Sequence, residues 1–176
     1  MKAPLVLAVC VLWLAGCEER VRPSVVPLAT DSLPSQESWR STVRLTDSAR
    51  VRAVLWAGYI ATFADEQYTV LGDSVHVTFY NEEGELSSVL TARRGKVDDR
   101  TKDLEAYEDV VVTSEDSTVL RTERLFWTNA TRLIHTDAYV VIVSPREVIR
   151  GEGLESDQSL TNYRIFRVTG RSSADG

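Results

Sequence analysis

The chain has 176 residues, with 20 Lys and Arg against 26 Asp and Glu, and a net charge of −6 at neutral pH. That length fits one domain with a tail and is enough to bury a core without disulfide or metal staples. The acidic balance argues against a nucleic-acid partner, which needs a basic surface to displace counterions from phosphates.

Met1-Lys2 places a positive charge ahead of the apolar run Leu5 to Leu14. That run is far short of the ~20 residues that span a bilayer and suits the apolar core of a secretory signal. Leu14-Ala15-Gly16-Cys17 follows and resembles the bacterial lipoprotein box. Small residues at Ala15 and Gly16 admit a peptidase to the backbone, and the Cys17 thiol takes the diacylglyceryl group. Residues 1–16 are therefore expected to be a lipoprotein signal peptide, with Cys17 as the lipid anchor. Cys10 would leave with the signal, so no disulfide is expected despite an oxidising compartment. Several acyl chains anchor stably where one does not.

Residues 17–37 carry Pro23, Pro27 and Pro34 among Ser, Thr and Asp, and hold no periodic apolar pattern. They read as an extended, lipid-anchored linker. From Ser38 the pattern changes to short β-rich segments. Val75-His76-Val77-Thr78-Phe79 alternates, then Asn81-Glu82-Glu83-Gly84 turns, and Glu85 to Ala92 returns, a hairpin signal. Val110-Val111-Val112-Thr113 and Thr118 to Thr122 flank a second turn, and Tyr139 to Val143 with Val148-Ile149-Arg150 flank a third. No window sustains a helical apolar stripe. Residues 38–170 are expected to form one all-β domain, and 171–176 a flexible tail.

The hairpins repeat. Asp99, Thr101, Lys102, Leu104 and Val110 to Val112 recur thirty positions later as Asn129, Thr131, Arg132, Ile134 and Val140 to Ile142. A looser copy starts at Leu55 and reaches Val75-His76-Val77, and a shortened one starts at Ile149. Such self-similarity marks stacked units that bury their apolar faces against one another. The turns Asp99 to Lys102 and Asn129 to Arg132 should line one rim, with Lys102 to Tyr107 and Arg132 to His135 as strands crossing the stack. Read for phase, Val75, Val77, Phe79, Leu104, Val110, Val112, Leu125, Trp127, Ile134, Val140 and Ile142 face inward. His76, Thr78, Val111, Val141 and Val143 face out. The phase slips after Thr122, which predicts a bulge near Glu123-Arg124.

Catalytic patterns are missing. His76 and His135 lack metal-ligand spacing. The acidic pairs Asp65-Glu66, Glu82-Glu83, Asp98-Asp99 and Glu115-Asp116 fall in predicted turns and read as solvated charges. No nucleophile elbow or glycine-rich phosphate loop is found, so no catalytic residue, metal or cofactor is assigned.

In order and spacing, three stretches are similar to the LptC family, the bridge of lipopolysaccharide export. They are Leu104 to Val112, Leu120-Arg121-Thr122-Glu123-Arg124-Leu125, and Arg150-Gly151-Glu152-Gly153-Leu154-Glu155-Ser156-Asp157 with its closing Tyr163-Arg164-Ile165. The resemblance covers roughly Trp39 to Gly170. It implies an open, twisted β-jellyroll whose hairpins enclose a hydrophobic groove, and transport without catalysis. The inward residues would then be a lipid-binding groove that accepts lipopolysaccharide from an inner-membrane ABC transporter of LptB, LptF and LptG. The lipid would pass to an LptA-like periplasmic bridge protein by edge-to-edge stacking. Trp39 to Leu45 would face the transporter and Ile165 to Thr169 the bridge. Familiar members carry an N-terminal transmembrane helix, whereas this chain offers Cys17, which implies lipid anchoring at the periplasmic face of the inner membrane. The outer membrane is the alternative, because Glu18 and not Asp follows the cysteine. The competing expectation is a lipid-anchored structural or adhesive β-domain with a closed core and no lipid ligand.

Overall fold

Segments rich in Val, Ile, Thr and aromatic residues, separated by Asp, Asn, Gly and Ser, form strands and tight turns. A computed structural model describes residues 33–47 and 49–173. The expected signal peptide, Cys17 and most of the expected linker lie outside these residues. Ten strands are present: β1 (Gln36–Asp47), β2 (Arg50–Phe63), β3 (Tyr68–Tyr80), β4 (Leu86–Ala92), β5 (Arg94–Asp98), β6 (Leu104–Ser114), β7 (Val119–Thr128), β8 (Leu133–Val143), β9 (Glu147–Asp157) and β10 (Tyr163–Ser173). The described residues hold no helix, and the fold is all-β. β1 begins within the stretch read as linker, and β10 runs into the stretch read as tail.

The strands make one antiparallel sheet in the order β1-β2-β3-β4-β6-β7-β8-β9-β10, while β5 pairs with β3 and β6 beyond the end of β4. β1 and β10 are the two edges and do not pair, so this jellyroll is open and not a closed barrel. A line of irregularities crosses it from strand to strand. Pairing shifts between Ala57 and Tyr59 in β2, between Tyr107 and Val110 in β6, between Thr122 and Phe126 in β7, and between Thr136 and Tyr139 in β8. Arg93 separates β4 from β5 on the same line. Asp73, Ser74, Glu108 and Asp109 take positive φ there, at 53°, 76°, 66° and 55°, the αL geometry that bends a strand at a bulge. Gly58 faces that bend: a Cβ on it would sit 2.1 Å from the Asp73 carbonyl oxygen. Sideways bonds from Ser74 N–H to Arg93 O (3.3 Å) and from Arg93 N–H to Glu108 O (2.9 Å) tie the seam together.

The seam folds the sheet over itself. Phe79 and Trp127 belong to opposite halves and are not strand partners, yet their rings lie 5.1 Å apart. Two layers therefore face each other across an apolar interior. The expected short strands Lys102 to Tyr107 and Arg132 to His135 require correction: they are the outer halves of β6 and β8, which continue past the seam to Ser114 and Val143. Glu108-Asp109 and Asp137-Ala138 are the bulges that carry β6 and β8 across the seam. The expected slip near Glu123-Arg124 is one of these bulges.

The 30-residue period is equally physical. Lys102 and Arg132 both take left-handed φ, 64° and 57°. Each N–H closes its turn on a carbonyl four residues back, Lys102 on Asp98 (2.8 Å) and Arg132 on Thr128 (2.7 Å). The turns then link along one rim. Asp99 N–H donates to Gln67 O (2.9 Å), and the Asn129 side-chain amide donates to Thr101 O (3.1 Å).

Candidate functional site

Alternation in each strand sends one set of side chains into the space between the layers, and all eleven inward-read residues are there. Val75, Val77 and Phe79 come from β3, and Leu104, Val110 and Val112 from β6. Leu125 and Trp127 come from β7, and Ile134, Val140 and Ile142 from β8. They join one cluster, and none is more than 3% exposed. Burying a side chain of this size contributes about 1.5–3 kcal/mol, so over these strands the interior is shut by its own residues. His76 and Val143 are exposed, and Thr78, Val111 and Val141 are half-buried on the outer face.

Sequence reasoning missed Leu55, Ile60, Leu71, Val97 and Leu154, which belong to the same cluster. In β2 the inward set is Ala53, Leu55 and Ala57 up to Gly58, then Ile60 beyond it. One bulged residue reverses the parity, so no single alternation runs through the strand. The glycine inside the apolar run was the available signal.

Three polar atoms in this interior are buried without a hydrogen-bond partner: Trp127 Nε1, Ser88 Oγ and Ser156 Oγ. Ser88 is the ladder partner of Phe79, while Ile134 pairs with both Ser156 and Trp127. Ser88 is thus one strand from Phe79, and Ser156 two strands from Trp127. Leaving each atom unpaired costs about 1–3 kcal/mol.

The interior is not filled at the β1 end. A cavity of about 210 Å³ lies between the layers there, walled by Val43, Leu45, Leu55, Ile60, Leu71 and Val97. β1 turns Ser38 toward Ile60 and Gln36 toward Thr62, and such small or polar groups cannot plug the space. Thr69 Oγ1 donates to Asp99 (3.0 Å) and stands 3.2 Å from Thr62 Oγ1 at the same mouth. On the outer face of this edge Trp39 is exposed, its ring 5.7 Å from that of Tyr59. The Tyr59 hydroxyl donates to the Glu37 carboxylate, which raises its pKa above the usual 10.0. At the far edge Phe166 and Val168 of β10 are exposed. Gly151 lets β10 lie close, since a Cβ there would sit 2.4 Å from Arg167 O.

The sequence of this folded-over sheet matches the family described as LptC, lipopolysaccharide-assembly, LptC-related, over residues 4–170. The chain belongs to the LptC family. No curated protein matches it. As an LptC-family member it is a transport protein and not an enzyme, with a role in lipopolysaccharide assembly and transport in the cell envelope. Its family partners are lipopolysaccharide and the Lpt machinery. The turn-borne acidic pairs fit that assignment. Asp98, for example, accepts backbone N–H bonds from Thr101 (2.8 Å) and Arg100 (2.9 Å), which hold its pKa below the usual carboxylate value. Its role is to shape a turn.

Proposed function

We propose that this LptC-family chain takes lipopolysaccharide from an inner-membrane ABC transporter of LptB, LptF and LptG type. The cavity at the β1 end receives the acyl chains, which then move between the two layers past the eleven inward residues. An LptA-like bridge protein takes the lipid at the β10 edge. The chain is held at the periplasmic face of the inner membrane by lipid on Cys17. The observation that carries this reading is the unfilled apolar cavity at one open edge, continuous with a cluster that runs the length of the sheet.

Transfer of a methylene from water into such an interior gains about 0.8 kcal/mol, so affinity is readily obtained and release is the harder step. The packed central section bears on that step, because a chain lodges there only by displacing side-chain contacts of similar strength. The buried Trp127, Ser88 and Ser156 groups suit a cargo whose chains carry ester, amide or hydroxyl oxygens better than plain hydrocarbon. The unpaired strands β1 and β10, one at each edge, suit strand addition by an upstream and a downstream partner.

The test is photocrosslinking to lipopolysaccharide with the probe placed singly at Leu55, Val112 and Val111. Adducts at Leu55 and Val112 and none at Val111 are expected. Adducts at Leu55 alone would confine the lipid to the mouth and remove the through-passage. Adducts at none of the three, in folded protein, would leave the closed structural domain as the better account, and the burial of the eleven residues would then mean a core and nothing more.

A further inference from the structure

Beside the apolar cavity, at the rim where the β1–β2 turn meets the turns of the opposite layer, lies a cleft of about 500 Å³. It is lined by Arg44, Arg52, Lys102 and Arg132 with Asn129, and Asp47 is the one carboxylate in the lining. In a chain of net charge −6 this concentration of cations is local and specific. Asp47 is shared at long range, 3.9 Å from Arg52 and 3.8 Å from Arg132, and Arg132 also reaches Glu82 across the rims at 3.0 Å. Lys102 stands 3.7 Å from Asp99.

Arg52 is the telling member. Its side chain is only 12% exposed, its Nη1 makes one long bond to Asn81 O (3.4 Å), and its buried Nε has no partner. A guanidinium is a planar fork suited to two parallel bonds with an oxyanion, and here its two Nη groups make only long contacts while its Nε has no acceptor. The cleft also joins the cavity, since Leu45 and Lys102 line both. Apolar and cationic walls thus meet at one corner.

We propose that Arg44, Arg52, Lys102 and Arg132 bind a phosphate borne on the headgroup of a phosphorylated glycolipid whose acyl chains occupy the adjoining cavity. This rests on the carrier reading above and specifies how the headgroup is held. A phosphate dianion supplies the acceptors that Arg52 lacks, and it competes with Asp47 and Glu82 for Arg132. Binding therefore loosens the ion pairs that link the two rims at the mouth. A free phosphate ion has the same oxygens but gains nothing from the apolar wall.

The test uses the full chain in detergent with diphosphoryl lipid A, the same lipid after phosphatase treatment, and inorganic phosphate. Phosphatase treatment is expected to weaken binding by about tenfold or more, the scale of a charge-assisted contact. Raising the salt should erode only the phosphorylated lipid's advantage. Arg44 is exposed and lines the cleft but not the cavity, so Arg44→Gln keeps the fold, checked by its melting temperature. That variant should lose the preference for phosphorylated lipid and bind the dephosphorylated form unchanged; Arg52→Gln should do the same more strongly where it folds. Equal affinity for the two lipid forms, or equal loss for both in the variant, would overturn the site while leaving the carrier reading in place. Inorganic phosphate binding as tightly as the lipid would assign the cleft to the free ion and overturn the headgroup role. Failure of both lipid forms to bind would overturn the carrier reading and this one with it.

Discussion

The middle of the sheet and its β1 end are built from the same alternating strands, yet one is sealed and the other is not. In the middle, Phe79 and Trp127 reach across from opposite layers, and Leu125, Ile134 and Ile142 fill the space around them. At the β1 end the last inward positions are Gln36 and Ser38, facing Thr62 and Ile60. Size and polarity at a few inward positions thus decide whether a folded-over sheet has a core or a cavity. The backbone is indifferent to the choice.

The largest break of this comparison is Trp127→Ala. Removing a buried ring from the sealed section should cost about 3–5 kcal/mol in denaturant unfolding, whereas Leu45→Ala, half-buried at the mouth, should cost about 1 kcal/mol. Similar losses for the two would mean that both ends are core. A sharper probe is Ser38→Phe, which places a ring over the cavity from an edge strand. Stability should change by less than about 1 kcal/mol while the lipid adduct at Leu55 disappears; a persisting adduct would put the mouth elsewhere.

The smallest effect comes with acid. The Thr101 N–H bond to Asp98, the Ser114 hydroxyl bond to Asp116 and the Arg171 bond to Glu147 each lower a carboxylate pKa. A carboxylate with a lowered folded-state pKa stabilises the fold above its unfolded value, and that contribution fades as pH falls through the folded one. The melting temperature should therefore be flat above the ordinary values of 4.5 for Glu and 3.8 for Asp and decline below them. Asp98 ends β5, Asp116 is on a turn and Glu147 starts β9, all outside the interior, Asp116 exposed and the other two half-buried, so solvent screens them and the decline should be shallow. Asp98→Asn/Asp116→Asn should flatten it, and a melting temperature that rises in acid would contradict the assignment.

The sealed section was legible in the sequence because β3, β6 and β8 keep one parity through it. Val75, Val77 and Phe79 alternate without interruption, and the two-residue bulge Glu108-Asp109 leaves the phase of Leu104 and Val112 the same. The mouth was not legible. Of its walls, Leu55 and Ile60 sit on β2, where Gly58 flips the phase, Val97 sits on β5, too short to show one, and Leu71 lies across the Asp73-Ser74 bend from the alternating part of β3. The cationic cleft was hidden for another reason. Arg44, Arg52, Lys102 and Arg132 are far apart in the chain and meet only because the seam brings two rims together. A periodicity reports which face a residue takes and is silent on which layer that face meets.

The repeat has a consequence for length. Each 30-residue unit contributes one strand out and one strand back, and neighbouring strands are about 4.8 Å apart, so each unit extends the sheet by about 10 Å. The nine strand positions along the path from β1 to β10 make eight such steps, about 38 Å from edge to edge. The domain is in that sense a ruler graduated in hairpins. Insertion or loss of one whole unit, cut at equivalent turns such as Lys102 and Arg132, would change the span by one graduation and leave the cross-section as it is.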